Sequence, residues 1–209
     1  MRVEASFVTS AADVSGIPDD GIPQLALVGR SNVGKSTLIN ALARARVART
    51  SAAPGKTRLA NFYRLTRGGG TPLYLVDLPG YGYAPGDSTF EPLLRAYFGS
   101  SAPMAGVVLA IDARHPGLAN DLAAHRWLDE SGVPLVVVAT KIDKLSRAER
   151  TRAHRELERL LHGPVLPVSA DTGEGLDDLW KHLIKLLSHP RPHPPSPRRP
   201  TSSSRRSKT

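Results

Sequence analysis

Short, continuous apolar runs alternate along the chain with longer stretches in which apolar residues return every three or four positions. Runs of four or five apolar residues read as strands buried on both faces, and the wider spacing reads as helices that bury one face. The first run, at 24–28, stops at Gly29. Past Ser36, the residues Leu38, Ile39, Ala41 and Leu42 fall at helical spacing, and Arg44 and Arg46 stand where a helix end favours cations. Runs at 61–66 and 73–77 flank Arg67, Gly68, Gly69 and Gly70, which predicts a hairpin. Further runs at 107–111, 135–139 and 165–168 are separated by helical patterns at 118–130 and 147–161. A last amphipathic helix at 175–187 carries Leu176, Leu179, Trp180, Leu183, Ile184 and Leu187, a stripe suited to packing on a sheet. Residues 1–22, with turn residues at Ser15, Gly16, Pro18 and Gly21, read as a lead-in. The order predicts an α/β fold with a six-stranded, mostly parallel sheet, one antiparallel strand and helices on both faces.

The turn after the first strand adds chemistry to this frame. Gly29, Arg30, Ser31, Asn32, Val33, Gly34, Lys35 and Ser36 form the pattern G-x-x-x-x-G-K-[ST], a P-loop. Its glycines let backbone N–H groups approach phosphate oxygens, and the helix behind it adds a partial positive charge. Lys35 is placed to reach the β- and γ-phosphates, and the Ser36 hydroxyl to ligate Mg²⁺. Strand, glycine loop and helix come in the order a P-loop NTPase requires.

Later strand ends carry the remaining candidates. Asp77, Leu78, Pro79 and Gly80 follow the 73–76 run; Asp77 can hold Mg²⁺ through water, and the Gly80 N–H can meet the γ-phosphate. Thr140, Lys141, Ile142 and Asp143 end the 135–139 strand at the carboxyl edge, where open α/β sheets bind ligands. An Asp there accepts from guanine N1–H and the 2-amino group, a donor pair that adenine lacks, while the Lys141 stem can lie over the base. A backbone N–H from Val168, Ser169 and Ala170 can contact guanine O6. A second Mg²⁺ hydroxyl ligand must come from a loop that senses the γ-phosphate. Thr50, Ser51 and Thr57 are candidates, and Thr57 is favoured because Pro54, Gly55 and Lys56 precede it.

Charge and composition change this picture little. The formal net charge is +9, but residues 188–209 hold six basic residues and no acidic one. The remaining 22 basic and 19 acidic residues leave +3. Most of the excess sits in a Pro/Ser/Arg-rich tail expected to be disordered, where a salt-dependent phosphate-backbone contact is the sharpest available role. There is no cysteine, which excludes disulfides and thiolate metal sites and fits a reducing cytoplasm. No apolar stretch is long enough to insert in a membrane, and residues 1–7 lack a secretory core.

These pieces in this order resemble a translation-factor-class (TRAFAC) GTPase, a Ras-like G domain. The finer details resemble the EngB family (YihA or YsxC type): the run 29–36, Pro54 to Arg58, Asn61-Phe62-Tyr63, Asp77 to Ala84 with its Gly80-Tyr81-Gly82-Tyr83 core, Asp112-Ala113-Arg114, and Thr140 to Lys144. The resemblance covers about residues 5–187, so 23–187 is the expected G domain. It implies a monomeric cytoplasmic GTPase that takes part in large-ribosomal-subunit assembly and is linked to cell division and septation. Its partners would be GTP, GDP and the precursor subunit's rRNA and proteins. It further implies Mg²⁺ on Ser36 and Thr57, and nucleotide contacts from Gly55, Lys56, Thr57, Arg58 and Leu59. A GTPase acting on division machinery or another non-ribosomal target is the alternative. A P-loop ATPase or kinase comes third, and Thr140–Asp143 argues against it.

The residues also set expectations for the rate. Many GTPases place a glutamine after Asp-x-x-Gly to orient water; here Tyr81 occupies that position, which predicts slow intrinsic hydrolysis and stimulation by a partner. Asn32 is a candidate K⁺ ligand beside the phosphates; as a structural alternative, Asn tolerates a left-handed turn. Lys56 and Arg58 are candidates for nucleotide-dependent contact with rRNA.

Overall fold

The computed structural model describes residues 2–49, 59–81, 96–97, 99 and 102–188. One sheet contains β1 (Val3–Ala11), β2 (Gln24–Gly29), β3 (Ala60–Arg67), β4 (Leu73–Asp77), β5 (Met104–Asp112), β6 (Leu135–Thr140) and β7 (Val165–Pro167). The described helices of nine residues or more are α1 (Lys35–Ala43), α2 (Ala119–Glu130), α3 (Arg147–Leu161) and α4 (Leu176–Leu187). The strand order is β1-β3-β4-β2-β5-β6-β7. Among the described strands only β3 runs against the rest: it pairs antiparallel with β1 and β4, and the other neighbours pair in parallel.

Among the described residues the sheet therefore has seven strands, one more than the six expected. The addition is β1, which lies within the expected lead-in and pairs with β3 from Val3↔Arg67 to Ala11↔Ala60. Its sequence alternates Val3, Ala5 and Phe7 with Glu4 and Ser6, the period of an edge strand with one wet face. A register shift between Phe7 and Thr9 breaks that alternation. The hairpin expected around 67–70 joins β3 to β4.

Alternate residues of the buried strands feed two cores. Leu25 and Leu27 of β2 pack with Leu38, Ile39 and Leu42 of α1 and with Leu179, Trp180 and Leu183 of α4. Ala26 and Val28 pack on the other face, with Ala124 and Leu128 of α2 and Leu157 and Leu161 of α3. This two-sided burial explains why the strands read as continuous apolar runs. A local signal fixes the start of α3. Ser146 and Glu149 form a reciprocal capping box on α3, with Ser146 N–H donating to Glu149 Oε2 at 2.8 Å. As a result Gly29, Asp77, Asp112, Thr140 and Pro167 all end parallel strands on one edge of the sheet.

Candidate active site

The P-loop opens where β2 ends. A Cβ on Gly29 would lie 2.7 Å from Ala110 O and 2.8 Å from a Val33 methyl, so the loop closes this tightly only on glycine. Gly34 has φ 104° and caps α1 without a side-chain hydrogen bond. Asn32 also lies in the left-handed region, at φ 63°, which accounts for an Asn there independently of any ion. Leu38 N–H closes the first turn on Gly34 O at 2.8 Å. The amides of Lys35, Ser36 and Thr37 donate to no group among the described residues, the condition that makes a helix start an anion site.

Lys35 and Asp77 face each other across this loop. Lys35 Nζ donates to Gly29 O at 3.1 Å and Arg30 O at 3.4 Å. Burial lowers its pKa, and Asp77 pulls it back up. Asp77 is 3% exposed, and burial pushes its carboxyl up against the opposing pull of Lys35 and Ser36. Ser36 Oγ donates to Asp77 Oδ2 at 3.1 Å. Asp77 Oδ1 is buried with no hydrogen-bond partner among the described residues. Tyr63 on β3 also senses this carboxylate: burial first, then Asp77, pushes its hydroxyl up to about 12.

The segment after Asp77 is sewn to the P-loop. Leu78 is buried, and its N–H donates to Leu27 O at 3.2 Å. A Cβ on Gly80 would lie 2.7 Å from Ser31 N. Ser31 N–H donates to Tyr81 O at 3.3 Å. The Tyr81 hydroxyl donates to Asp121 Oδ1 at 2.8 Å, and Arg30 Nε stands 3.5 Å from Asp121 Oδ2.

The base end is built from β5, β6 and the loop after β7. Thr140 Oγ1 donates to Val33 O at 2.8 Å and approaches Ile111 O at 3.1 Å, tying strand ends to the P-loop. Lys141 is left-handed at φ 60°, and its Nζ donates to Asn32 O at 2.6 Å. Ile142 is buried and anchors the turn that carries Asp143. Ser169 Oγ donates to Asp143 Oδ1 at 2.6 Å, and Lys144 pairs with Oδ2 at 2.9 Å; these partners hold the carboxyl below its ordinary range. Val168 N–H donates to Ala139 O and Ser169 N–H to Glu174 O. Of the three amides considered for guanine O6, that of Ala170 is left uncommitted among the described residues. A cavity of about 280 Å³ lies between Gly34, Thr37, Lys141, Asp143 and Ala170.

The structure thus gathers the candidates at 29–36, 77–80, 140–143 and 168–170 on one sheet edge. Leu59 is 40% exposed, two residues before Asn61, which pairs with Asp77. Gly55, Lys56, Thr57 and Arg58 lie outside the described residues, as do 82–90 and 189–209. Sequence reasoning assigned no role to Asp112 or Asp121. Asp112 had a usable signal: like Asp77, it is a carboxylate ending an apolar strand. Asp121 had none, because its partner Tyr81 is 40 residues away.

Comparison with known proteins adds to this geometry. The family model described as "50S ribosome-binding GTPase" matches residues 24–141. A protein described as "Probable GTP-binding protein EngB" from Heliobacterium modesticaldum is 40% identical over 185 residues, covering 84% of this chain and 88% of the relative. One of the same description from Chlorobaculum tepidum is 43% identical over 182 residues, covering 84% and 93%. A crystal structure of Era in complex with MgGDPNP and a segment of 16S ribosomal RNA superposes with TM-score 0.66 at 25% identity, covering 84% of this chain and 59% of Era.

Proposed function

Because the chain belongs to the EngB family of GTP-binding proteins, we propose that it acts as a GTP-driven switch in assembly of the large ribosomal subunit. It is a GTPase. The observation that carries guanine recognition is the Asp143 carboxylate, held ionised by Ser169 and Lys144 at the mouth of a cavity that opens onto the P-loop. A base-reading carboxylate left unpaired by adenine discriminates strongly. The ribosomal part of the reading is supported by the family model's own description. The division and septation link is taken as a consequence of failed subunit assembly, with the protein working as a cytoplasmic monomer. No described helix is long and apolar enough to cross a membrane.

The donor set fits a magnesium ion. Asp77 Oδ1 is a buried carboxylate oxygen without a hydrogen-bond partner among the described residues, and Ser36 Oγ stands 3.1 Å from its other oxygen. Ser36 and Thr57 would hold Mg²⁺ directly and Asp77 through water, and the ion would supply positive charge to the β- and γ-phosphates. The chain's own residues do the remaining work. The P-loop amides and Lys35 bind phosphate, and the Gly80 N–H orients the γ-phosphate. Lys141 and Asp143 hold the base, with Ala170 or its neighbours Val168 and Ser169 at O6.

Hydrolysis by the isolated protein is slow in this reading. Tyr81 stands where other GTPases use an amide, and its hydroxyl is engaged by Asp121. Purified protein turning over GTP at tens of events per second would contradict it. Asn32 is proposed to help hold K⁺, which would supply charge near the phosphates; equal rates in K⁺ and Na⁺ buffers would remove that role. Residues 50–60 and 80–90 are proposed to respond to the γ-phosphate, with Lys56 and Arg58 touching rRNA in the GTP state. Depletion followed by sucrose-gradient analysis tests the whole reading. Accumulated large-subunit precursors support it, whereas normal profiles in filamentous cells would transfer the switch to division machinery.

A further inference from the structure

Asp112, Ala113 and Arg114 have no assigned part in the switch, yet Arg114 lines the base cavity and Asp112 touches Lys141, which lines it too. Asp112 ends β5 beside Thr140 and is 3% exposed. Two cations converge on its carboxylate. Arg114 grips it with two prongs, Nε to Oδ1 at 2.9 Å and Nη2 to Oδ2 at 2.7 Å, and the Arg114 N–H adds a third bond to Oδ1 at 3.1 Å. From the other side, Lys141 Nζ donates to Oδ2 at 2.9 Å.

That second cation is the informative one. A buried carboxylate is costly when unpaired, but the forked Arg114 contact already meets that need within β5 and its exit turn. Lys141 comes from the turn that follows β6 and is the residue whose stem is proposed to lie over the base. Its ammonium is pinned at two points, Asp112 Oδ2 and the P-loop carbonyl of Asn32. Just below that ammonium, the stem's Cε lies 3.7 Å from the Cβ position of Gly34. Two fixed points and a left-handed backbone leave a flexible side chain with one course, beside the cavity. Without the carboxylate, one neutral carbonyl would remain as the ammonium's anchor.

We infer that Asp112 is a positioning residue for the nucleotide base, acting by holding the Lys141 ammonium so that its stem forms one wall of the pocket. This rests on the guanine-nucleotide reading above. The stem meets the face of the base and not its edge, so loss of Asp112 affects guanine and hypoxanthine nucleotides alike. Loss of Asp143 differs, because it discriminates through the 2-amino group that hypoxanthine lacks.

The test is stopped-flow release of ribose-labelled GDP and IDP from the full chain. Asp112→Asn and Lys141→Met, which keeps the stem and removes the charge, are each expected to speed release on the order of 10-fold, the worth of one charge-assisted hydrogen bond. Both nucleotides should respond by the same factor, and the double variant should release no faster than Lys141→Met alone. Two effects that multiply in the double variant would show a merely structural role and overturn the inference. Wild-type release from Asp112→Asn would do the same. If Asp112→Asn does not fold by circular dichroism, Lys141→Met decides alone, since wild-type release from it would mean the anchored ammonium does nothing. Failure of the wild-type chain to bind GDP would overturn the guanine reading together with this inference; normal GDP binding with unchanged variants would overturn only the inference.

Discussion

Asp77, Asp112 and Asp143 are carboxylates on one sheet edge, and their surroundings drive them apart. Burial raises Asp77, while Ser169 and Lys144 lower Asp143. At Asp112 burial acts upward, but the bonds from Arg114 and Lys141 outweigh it and hold the carboxyl at about 2, against an ordinary 3.8. A depressed acid stabilises the fold above its unfolded pKa, and that stability is lost as pH falls through the folded value. Urea unfolding of the wild type should therefore lose about 2 kcal/mol of Asp112-linked stability between pH 5 and pH 2. The stability gap between wild type and Asp112→Asn should close over the same window; a gap independent of pH would contradict this. Asp77 has the opposite sign. Its raised pKa keeps the proton bound in the folded state, so its charge costs stability as pH rises above 3.8. Asp77→Asn should raise the melting temperature of the nucleotide-free protein by a few degrees while weakening Mg-GTP binding. A lower melting temperature together with unchanged affinity would refute both halves.

Elements were legible where their pattern was set by burial on two faces. β2, β4, β5 and β6 stand out as apolar runs because α1 and α4 cover one side and α2 and α3 the other. β1 did not stand out, because an edge strand needs apolar residues only at alternate positions, and the shift at Phe7/Thr9 blurs even that. The site followed the same logic. The P-loop and Thr140–Asp143 are contiguous, so their chemistry is written in adjacent letters. The Arg30, Tyr81 and Asp121 cluster is assembled from the P-loop, the segment after β4 and the first turn of α2, and no local pattern announces it. That cluster ties the exit of Asp77–Gly80 to α2. Tyr81→Phe would leave Asp121, 1% exposed, with Arg30 Nε at 3.5 Å as its remaining partner in the cluster. The expected cost is about 2 kcal/mol of stability in urea unfolding, from stranding a buried acceptor. An unchanged midpoint would mean the hydroxyl bond contributes nothing.

The charge of the whole molecule is divided in a way that separates two kinds of binding. Residues 1–187 are close to balanced, whereas 188–209 carry six cations and no anion. Phosphate contacts from such a segment depend on salt through counterion release and carry no information about the nucleotide in the pocket. The switch loops are proposed to carry that information, because their contacts depend on the γ-phosphate. The two contributions should then be separable in one experiment. Co-sedimentation with large ribosomal subunits is measured across a salt series in GTP, GDP and non-hydrolysable-analogue states, for the full chain and for one ending at Ser188. Removing the tail should flatten the log-log salt dependence by up to about 4, if all six cations meet single-stranded phosphates at ~0.7 each. The flattening should be the same in every nucleotide state, and the ratio of GTP-state to GDP-state affinity should not move. A truncation that leaves the salt slope unchanged would make the tail idle in ribosome binding. One that abolishes the GTP-to-GDP ratio would place the switch's output in the tail, contrary to a fold that gathers every nucleotide-contacting candidate it describes at the carboxyl edge of the sheet.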